Sequence, residues 1–206
     1  MVELALIRHG RTAWNRDHRL QGRTDVPLDQ EGLAEVETWI LPPPWDRAQL
    51  IASPLSRAKE TAQALAHGRP VEIAPRLSEM NFGAWEGKRG ADLLADPHSG
   101  FRHVEEWGWA FEPPGGEAPQ ALRNRLQPLL CSLSERDHPV LAITHIGVIR
   151  VLLAMAHDWD FRGAAPFRVK RGWLYPLRLT AQGTPYPSGP AIRLDRRPPG
   201  PARLVS

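Results

Sequence analysis

Cysteine is almost absent from this chain: Cys131 stands alone among 206 residues. An internal disulfide framework is thereby excluded, and a reducing compartment is expected. Set among leucines, Cys131 is expected to be a buried, inert thiol. No apolar run approaches the roughly 18 residues that a membrane-spanning helix needs, and no leader-like segment precedes the first apolar run. A cytoplasmic location fits these absences. The chain also lacks HExxH and CxxC patterns and a GxxxxGK loop followed by Ser or Thr, and its eight histidines are scattered. No metal site and no cofactor are expected, and nucleotide hydrolysis on a P-loop is excluded.

What is present describes an ordinary globular chain. Hydrophobic residues make up 42% and charged residues 24%, enough for one domain with a real core. The net charge is +3 and the pI near 9.5. Part of the basic excess sits in Arg193, Arg196, Arg197 and Arg203, which read as a solvated tail because no aromatic residues are interleaved with them. Short apolar runs alternate with helical patterns, which predicts a three-layer α/β/α fold with a mostly parallel sheet. Helices are expected over 30–40 with Asp29 as N-cap, from a Ser53 cap with Pro54 at N1 to His67 and Gly68, over 117–134 with a kink at Pro128, and over 148–157. Strands are expected at 4–7, 50–52, 139–144 and 173–179. Residues 1–183 form the expected domain, and the proline-rich stretch 184–206 is expected to be an irregular tail.

The chemistry-bearing residues lie where these strands end. Arg8-His9-Gly10-Arg11 follows Leu4-Ala5-Leu6-Ile7, and Thr144-His145-Ile146-Gly147 closes a second apolar run. Ligands of open α/β sheets bind outside the carboxyl ends of the strands. A histidine beside fixed positive charge at that edge suits an anionic, phosphate-like group, although a neutral histidine capping a strand among surface arginines would read the same way locally. Arg57 sits in the first turn of its helix, where side chains tilt toward the N-terminus and so toward His9; the alternative is an Arg57–Glu60 surface pair. Glu79 lies in Leu77-Ser78-Glu79-Met80-Asn81-Phe82-Gly83-Ala84-Trp85-Glu86-Gly87.

Together the RHG of residues 8–10, the SPLSRA of 53–58, the 79–87 segment and the THIG of 144–147 resemble the histidine phosphatase superfamily in its phosphoglycerate-mutase-like branch. The resemblance covers about residues 2–180. It implies that His9 is phosphorylated, that Arg8, Arg57 and His145 complete a phosphate pocket, that Glu79 is the leaving-group acid, and that Asn15, Gln21 and Gly22 line the substrate side. The residue types agree with this chemistry. A neutral imidazole can attack phosphorus, and the planar guanidinium matches phosphate geometry. Arg8 and Arg57 oppose protonation of His9, whose second nitrogen needs an acceptor such as a backbone carbonyl. Glu86 is the rival carboxylate, with a structural role in the Trp85-Glu86-Gly87 turn as its alternative.

Residues 86–116, with Trp107, Trp109 and Phe111, read either as a lid over the substrate or as an aromatic cluster under a loop. The expected partner is a small phosphorylated metabolite, with no nucleic acid and no membrane, and the chain is open to forming a homodimer. Hydrolysis is favoured over a mutase reaction or a non-enzymatic phospho-ligand role. Gly115-Gly116-Glu117 and His145-Ile146-Gly147-Val148-Ile149-Arg150 most resemble α-ribazole phosphatases of cobalamin biosynthesis, with Ala118 departing from their pattern. Broad-specificity and sugar phosphatases share the same motifs.

Overall fold

The computed structural model describes residues 1–198 of the chain. A central sheet is built on β1 (Val2–Arg8), β3 (Gln49–Ala52), β4 (Val71–Ile73), β5 (Val140–Thr144), β6 (Trp173–Leu179) and β7 (Pro185–Pro187). Their order is β4-β3-β5-β1-β6-β7, with β8 (Ile192–Arg193) also paired to β6. The run β4-β3-β5-β1 is parallel, while β6 lies antiparallel to β1, β7 and β8. A separate ribbon joins β2 (Trp39–Ile40) to β9 (Asp195–Arg196). The sheet is mostly parallel, as the alternation of runs predicts.

The period-two alternation of strand side chains sends two apolar sets to opposite faces. Leu4, Leu6, Val140, Ala142 and Leu177 pack on α5 (Pro119–Ser134) and α6 (Ile146–Ala156), through Leu122, Leu126 and Leu130 of the former and Val148 and Leu152 of the latter. Ala5, Ile7, Leu50, Leu141 and Ile143 pack on α2 (Gln30–Glu37) and α3 (Ser56–Ala66), through Val36, Ala58, Ala62 and Leu65. All five residues of β5 are buried, which is why that strand reads as a continuous apolar run. Two short helices, α1 (Ala13–Arg16) and α4 (Gly90–Ala95), lie in the connections. Among the described residues no helix is long and apolar enough to cross a membrane.

Several expected boundaries move for identifiable reasons. Asp29 caps α2 as expected, its carboxylate accepting from Gly32 N at 2.6 Å, but the helix stops at Glu37 because Trp39 and Ile40 pair with β9. Ser53 does not cap α3. The helix starts at Ser56, whose amide donates to the Asp25 carboxylate at 2.8 Å, so the cap comes from a distant loop. α5 begins at Pro119 rather than at Glu117, whose carboxylate is held by Arg125, and it runs unbroken through Pro128. α6 begins two residues early, directly after His145.

The segment expected as an irregular tail continues the fold as far as it is described. Pro185 and Pro187 pair with Leu179 and Leu177 at the sheet margin, where a missing amide donor is tolerated. Leu194 is buried in the core beneath α2 and α3. Arg193 pairs in register with Trp173, Arg196 meets the Glu35 carboxylate, and Arg197 bonds His67 Nε2 at 3.0 Å; Arg203 lies outside the described residues. Cys131 is half-buried rather than buried, its thiol donating to Gln182 O at 3.3 Å across the turn before β7.

Candidate active site

Parallel register brings three strand ends together. Arg8 of β1 stands opposite Thr144 of β5, and His9 N donates to Thr144 O at 3.0 Å. Ser53 follows β3, and its amide donates to Ile143 O at 3.0 Å. His9 and His145 consequently face each other, their ring centroids 5.1 Å apart. The turn after His9 is fixed by Gly10 N donating to Thr61 Oγ1 at 2.9 Å, while that hydroxyl donates to Arg57 O at 2.6 Å. One α3 threonine therefore ties the histidine turn to the helix that carries Arg57.

His9 Nδ1 lies 2.7 Å from Gly10 O. A carbonyl only accepts, so Nδ1 carries the proton and Nε2 keeps its lone pair. The ring is 3% exposed. Burial holds the pKa of His9 well below 6.5, reinforced by His145, Arg8 and Arg57. His145 is also held well below 6.5, by burial and then by Arg57, Arg8 and Arg125. Both rings are neutral near pH 7.

Arg57 is wholly buried. It donates from Nε to His145 Nδ1 at 3.3 Å, from Nη1 to Thr24 O at 2.9 Å and from Nη2 to Gly22 O at 2.7 Å. It makes no pair with Glu60, whose carboxylate accepts from Leu28 N. A guanidinium carries five N–H groups, so two remain for an anion. Arg8 Nε is buried without a hydrogen-bond partner among the described residues. Burial, with Arg171 nearby, pulls the pKa of Arg8 down to about 9, which marks a cation short of negative charge. Arg11 turns away to Asp29, at 3.1 Å, and to Glu31.

Glu79 is 1% exposed. Its Oε1 accepts from Met80 N at 2.8 Å and its Oε2 from Gly147 N at 3.1 Å, in the first turn of α6. Burial raises its pKa, opposed by those two amides and by Arg57 and Arg8. Gly147 is required here, because a Cβ on it would lie 2.5 Å from Glu79 Oε1. Arg125 of α5 holds the segment from behind, donating to Ser78 O at 3.0 Å and gripping Glu117 through Nε at 2.9 Å and Nη2 at 3.0 Å.

Glu86, the rival carboxylate, is occupied otherwise. It accepts from Arg23 N, Thr24 N and Phe82 N at 2.9–3.1 Å and from the Thr24 hydroxyl. Burial favours its neutral form, but these donors outweigh it and lower its pKa. Its work is to hold the loop that supplies Gly22 O and Thr24 O to Arg57. Gly22 is needed there, since a Cβ would fall 1.8 Å from Glu86 Oε1. Asn15 and Gln21 converge on Thr12: Asn15 Oδ1 accepts from Thr12 N at 3.2 Å in the cap of α1, and Gln21 Nε2 donates to Thr12 Oγ1 at 2.6 Å. Gln21 Oε1 is buried without a hydrogen-bond partner among the described residues. Sequence reasoning missed Thr61, Arg125 and the site role of Ser53; for Ser53, the signal was its place directly after a strand.

An unfolded histidine binds a proton near pH 6.5, whereas these two folded rings do not. Between pH 6.5 and the depressed folded values the unfolded chain holds more protons, so stability rises with pH. The contribution is complete above pH 6.5 and is lost as pH falls below it, each ring adding a slope of up to about 1.4 kcal/mol per pH unit. Thermal unfolding of His9→Gln should therefore show a shallower fall in Tm from pH 6.5 to 5 than the wild type; identical slopes would contradict a neutral buried His9.

Comparison with known proteins fits this geometry. Residues 4–186 match the model of the histidine phosphatase superfamily, branch 1. The chain is 32% identical over 179 residues to an adenosylcobalamin/alpha-ribazole phosphatase of Escherichia coli strain K12, covering 83% of this chain and 87% of that one. It is 34% identical over 153 residues to a probable phosphoglycerate mutase GpmB of an Enterobacter species, covering 68% of each. The crystal structure of a putative alpha-ribazole-5'-P phosphatase from Escherichia coli superposes with TM-score 0.72 at 27% identity, covering 98% of this chain and 99% of that one. The chain belongs to the histidine phosphatase superfamily, branch 1, and is an enzyme of its phosphatase type.

Proposed function

We propose that the chain hydrolyses a small phosphomonoester in two displacements at His9. The observation that carries this reading is the free Nε2 of a neutral, buried His9, fixed by the Nδ1 bond to Gly10 O beside guanidinium groups with unused donors. Nε2 attacks phosphorus and the bond to the ester oxygen breaks. Arg8 and Arg57 stabilise the negative charge on the non-bridging oxygens. Glu79, whose pKa burial raises, gives its proton to the departing alkoxide. Its carboxylate then takes a proton from the water that attacks phosphorus, and the bond to Nε2 breaks as inorganic phosphate forms. Asn15 and Gln21 support this pocket through Thr12, and Gly22 through Arg57.

The substrate proposed is α-ribazole 5'-phosphate, in the cytoplasm. The named relatives support it, and so does a cavity of about 300 Å³ lined by Leu20, Phe82, Trp85, Phe101, Trp107 and Arg150. Arg150, one of its lining residues, interacts electrostatically with Glu79. The aromatic residues mostly pack on one another: Trp107 stacks on Phe111 at 5.3 Å, Trp85 meets Phe101 at 4.9 Å, and Trp109 turns to Phe161 at 5.0 Å. Of Trp107, Trp109 and Phe111, only Trp107 lines the cavity.

Glu79→Gln should depress hydrolysis of alkyl phosphates by about 10²–10⁴-fold, the usual worth of general acid catalysis, and that of p-nitrophenyl phosphate far less. Equal losses on both substrates would remove Glu79 from the acid's role.

A flat ring stacked on Trp107 is worth about 0.5–1.5 kcal/mol beyond its buried area. kcat/KM for α-ribazole 5'-phosphate should accordingly exceed that for 3-phosphoglycerate by about tenfold, and Trp107→Ala should erase the difference. Equal values in the wild type would contradict the substrate reading. A preference that survives Trp107→Ala would contradict its stated cause.

A further inference from the structure

His145 is buried at 0% exposure and both of its ring nitrogens are engaged. Nδ1 receives the Arg57 Nε–H at 3.3 Å, and Nε2 lies 2.7 Å from Ser53 Oγ. A guanidinium donates at every pH the protein meets, so Nδ1 must be the lone-pair nitrogen of the neutral ring. The single ring proton is then on Nε2, and Ser53 Oγ accepts it. The same oxygen accepts from Leu55 N at 3.3 Å, so both acceptor positions of the hydroxyl are filled. Ser53, Arg57 and His145 are all at 0% exposure, which keeps water from substituting for any of the three.

We propose that Ser53 is a positioning residue for the reaction: its hydroxyl holds the His145 proton on Nε2 and thereby keeps Nδ1 turned toward Arg57 and the phosphoryl pocket. The proposal rests on the phosphohydrolase reading for its effect on turnover, but not for the tautomer itself. Its origin lies in the sheet. Ser53 follows β3 and His145 follows β5, and the Ser53 N to Ile143 O bond fixes the two ends side by side. The role that sequence assigns to Ser53, capping α3, is filled by Asp25, which leaves the hydroxyl for the histidine. With Nε2 anchored, Nδ1 stays the acceptor for Arg57 Nε–H, and the ring fixes the guanidinium whose remaining N–H groups are left for a phosphoryl group. Without Ser53, Nε2–H would be a buried donor with no acceptor, and the ring would shift its proton or its orientation.

The test combines ring-nitrogen ¹⁵N NMR with kinetics on p-nitrophenyl phosphate, in wild type, Ser53→Ala and Ser53→Thr. Ligand-free wild type should show His145 as the Nε2–H tautomer. Ser53→Ala should shift the population toward Nδ1–H and lower kcat by about tenfold or more with KM little changed. Ser53→Thr, which keeps the hydroxyl, should restore both. A wild-type His145 protonated on Nδ1 would overturn the proposal without any variant being made. Loss of kcat in Ser53→Ala with the tautomer unchanged would also overturn it, in favour of simple packing. Failure of the phosphohydrolase reading would appear separately, as wild type inactive on every phosphomonoester with the Nε2–H tautomer intact.

Discussion

The register of β3, β5 and β1 is the constraint from which the site follows. Three adjacent parallel strands end at the same level, so the residues that leave them, Ser53, His145 and His9, arrive side by side. The backbone bonds Ser53 N to Ile143 O and His9 N to Thr144 O extend the ladder one step past the strands and set the spacing of the side chains. A slip of one residue in β5 would turn Ile143 and His145 to the other face and empty the pocket. That slip is opposed by the core on both sides, since β5 is buried along its whole length between two helical layers.

Upon this edge the chain gathers charge that it does not neutralise. Arg8 and Arg171 each keep a buried Nε without a partner among the described residues, and Arg57 spends only part of its donors on backbone carbonyls and His145. Burying such cations is costly unless an anion joins them. Glu79 interacts electrostatically with Arg8 and Arg57, but burial raises its pKa and its oxygens already accept from Met80 N and Gly147 N. Neutral histidines beside guanidinium groups with unused donors suit the anionic group of the proposed phosphomonoester. The rest of the neighbourhood serves rigidity: Glu86 holds the loop that aims Arg57, and Arg125 with Glu117 holds the segment that carries Glu79.

The sheet, its two helical layers and the convergence of His9, Arg8, Arg57, Glu79 and His145 were legible in the sequence. Buried parallel strands leave continuous apolar runs, and a histidine directly after such a run has few places to be. The loops were less legible, because their contacts join distant residues. Nothing local in Ser53-Pro54-Leu55-Ser56 reveals that Asp25 will cap the helix and free Ser53 for His145. Asn15 and Gln21 are expected on the substrate side, and the structure adds that each also bonds Thr12. The strands after Gly183 escaped notice because proline masks the pattern, although Leu194 reaches the core. The aromatic segment was ambiguous in the sequence, and the structure divides it: most rings pack on one another, while Trp107 also lines a cavity.

The central claim is that His9 Nε2 is the nucleophile, and the most direct measurement is the mass of the enzyme quenched in acid, under mild conditions, during turnover of p-nitrophenyl phosphate. The geometry predicts a phosphoryl adduct on His9 that is labile in acid and stable in base, and that is absent from His9→Ala. An adduct on another residue, or one that persists in His9→Ala, would contradict it.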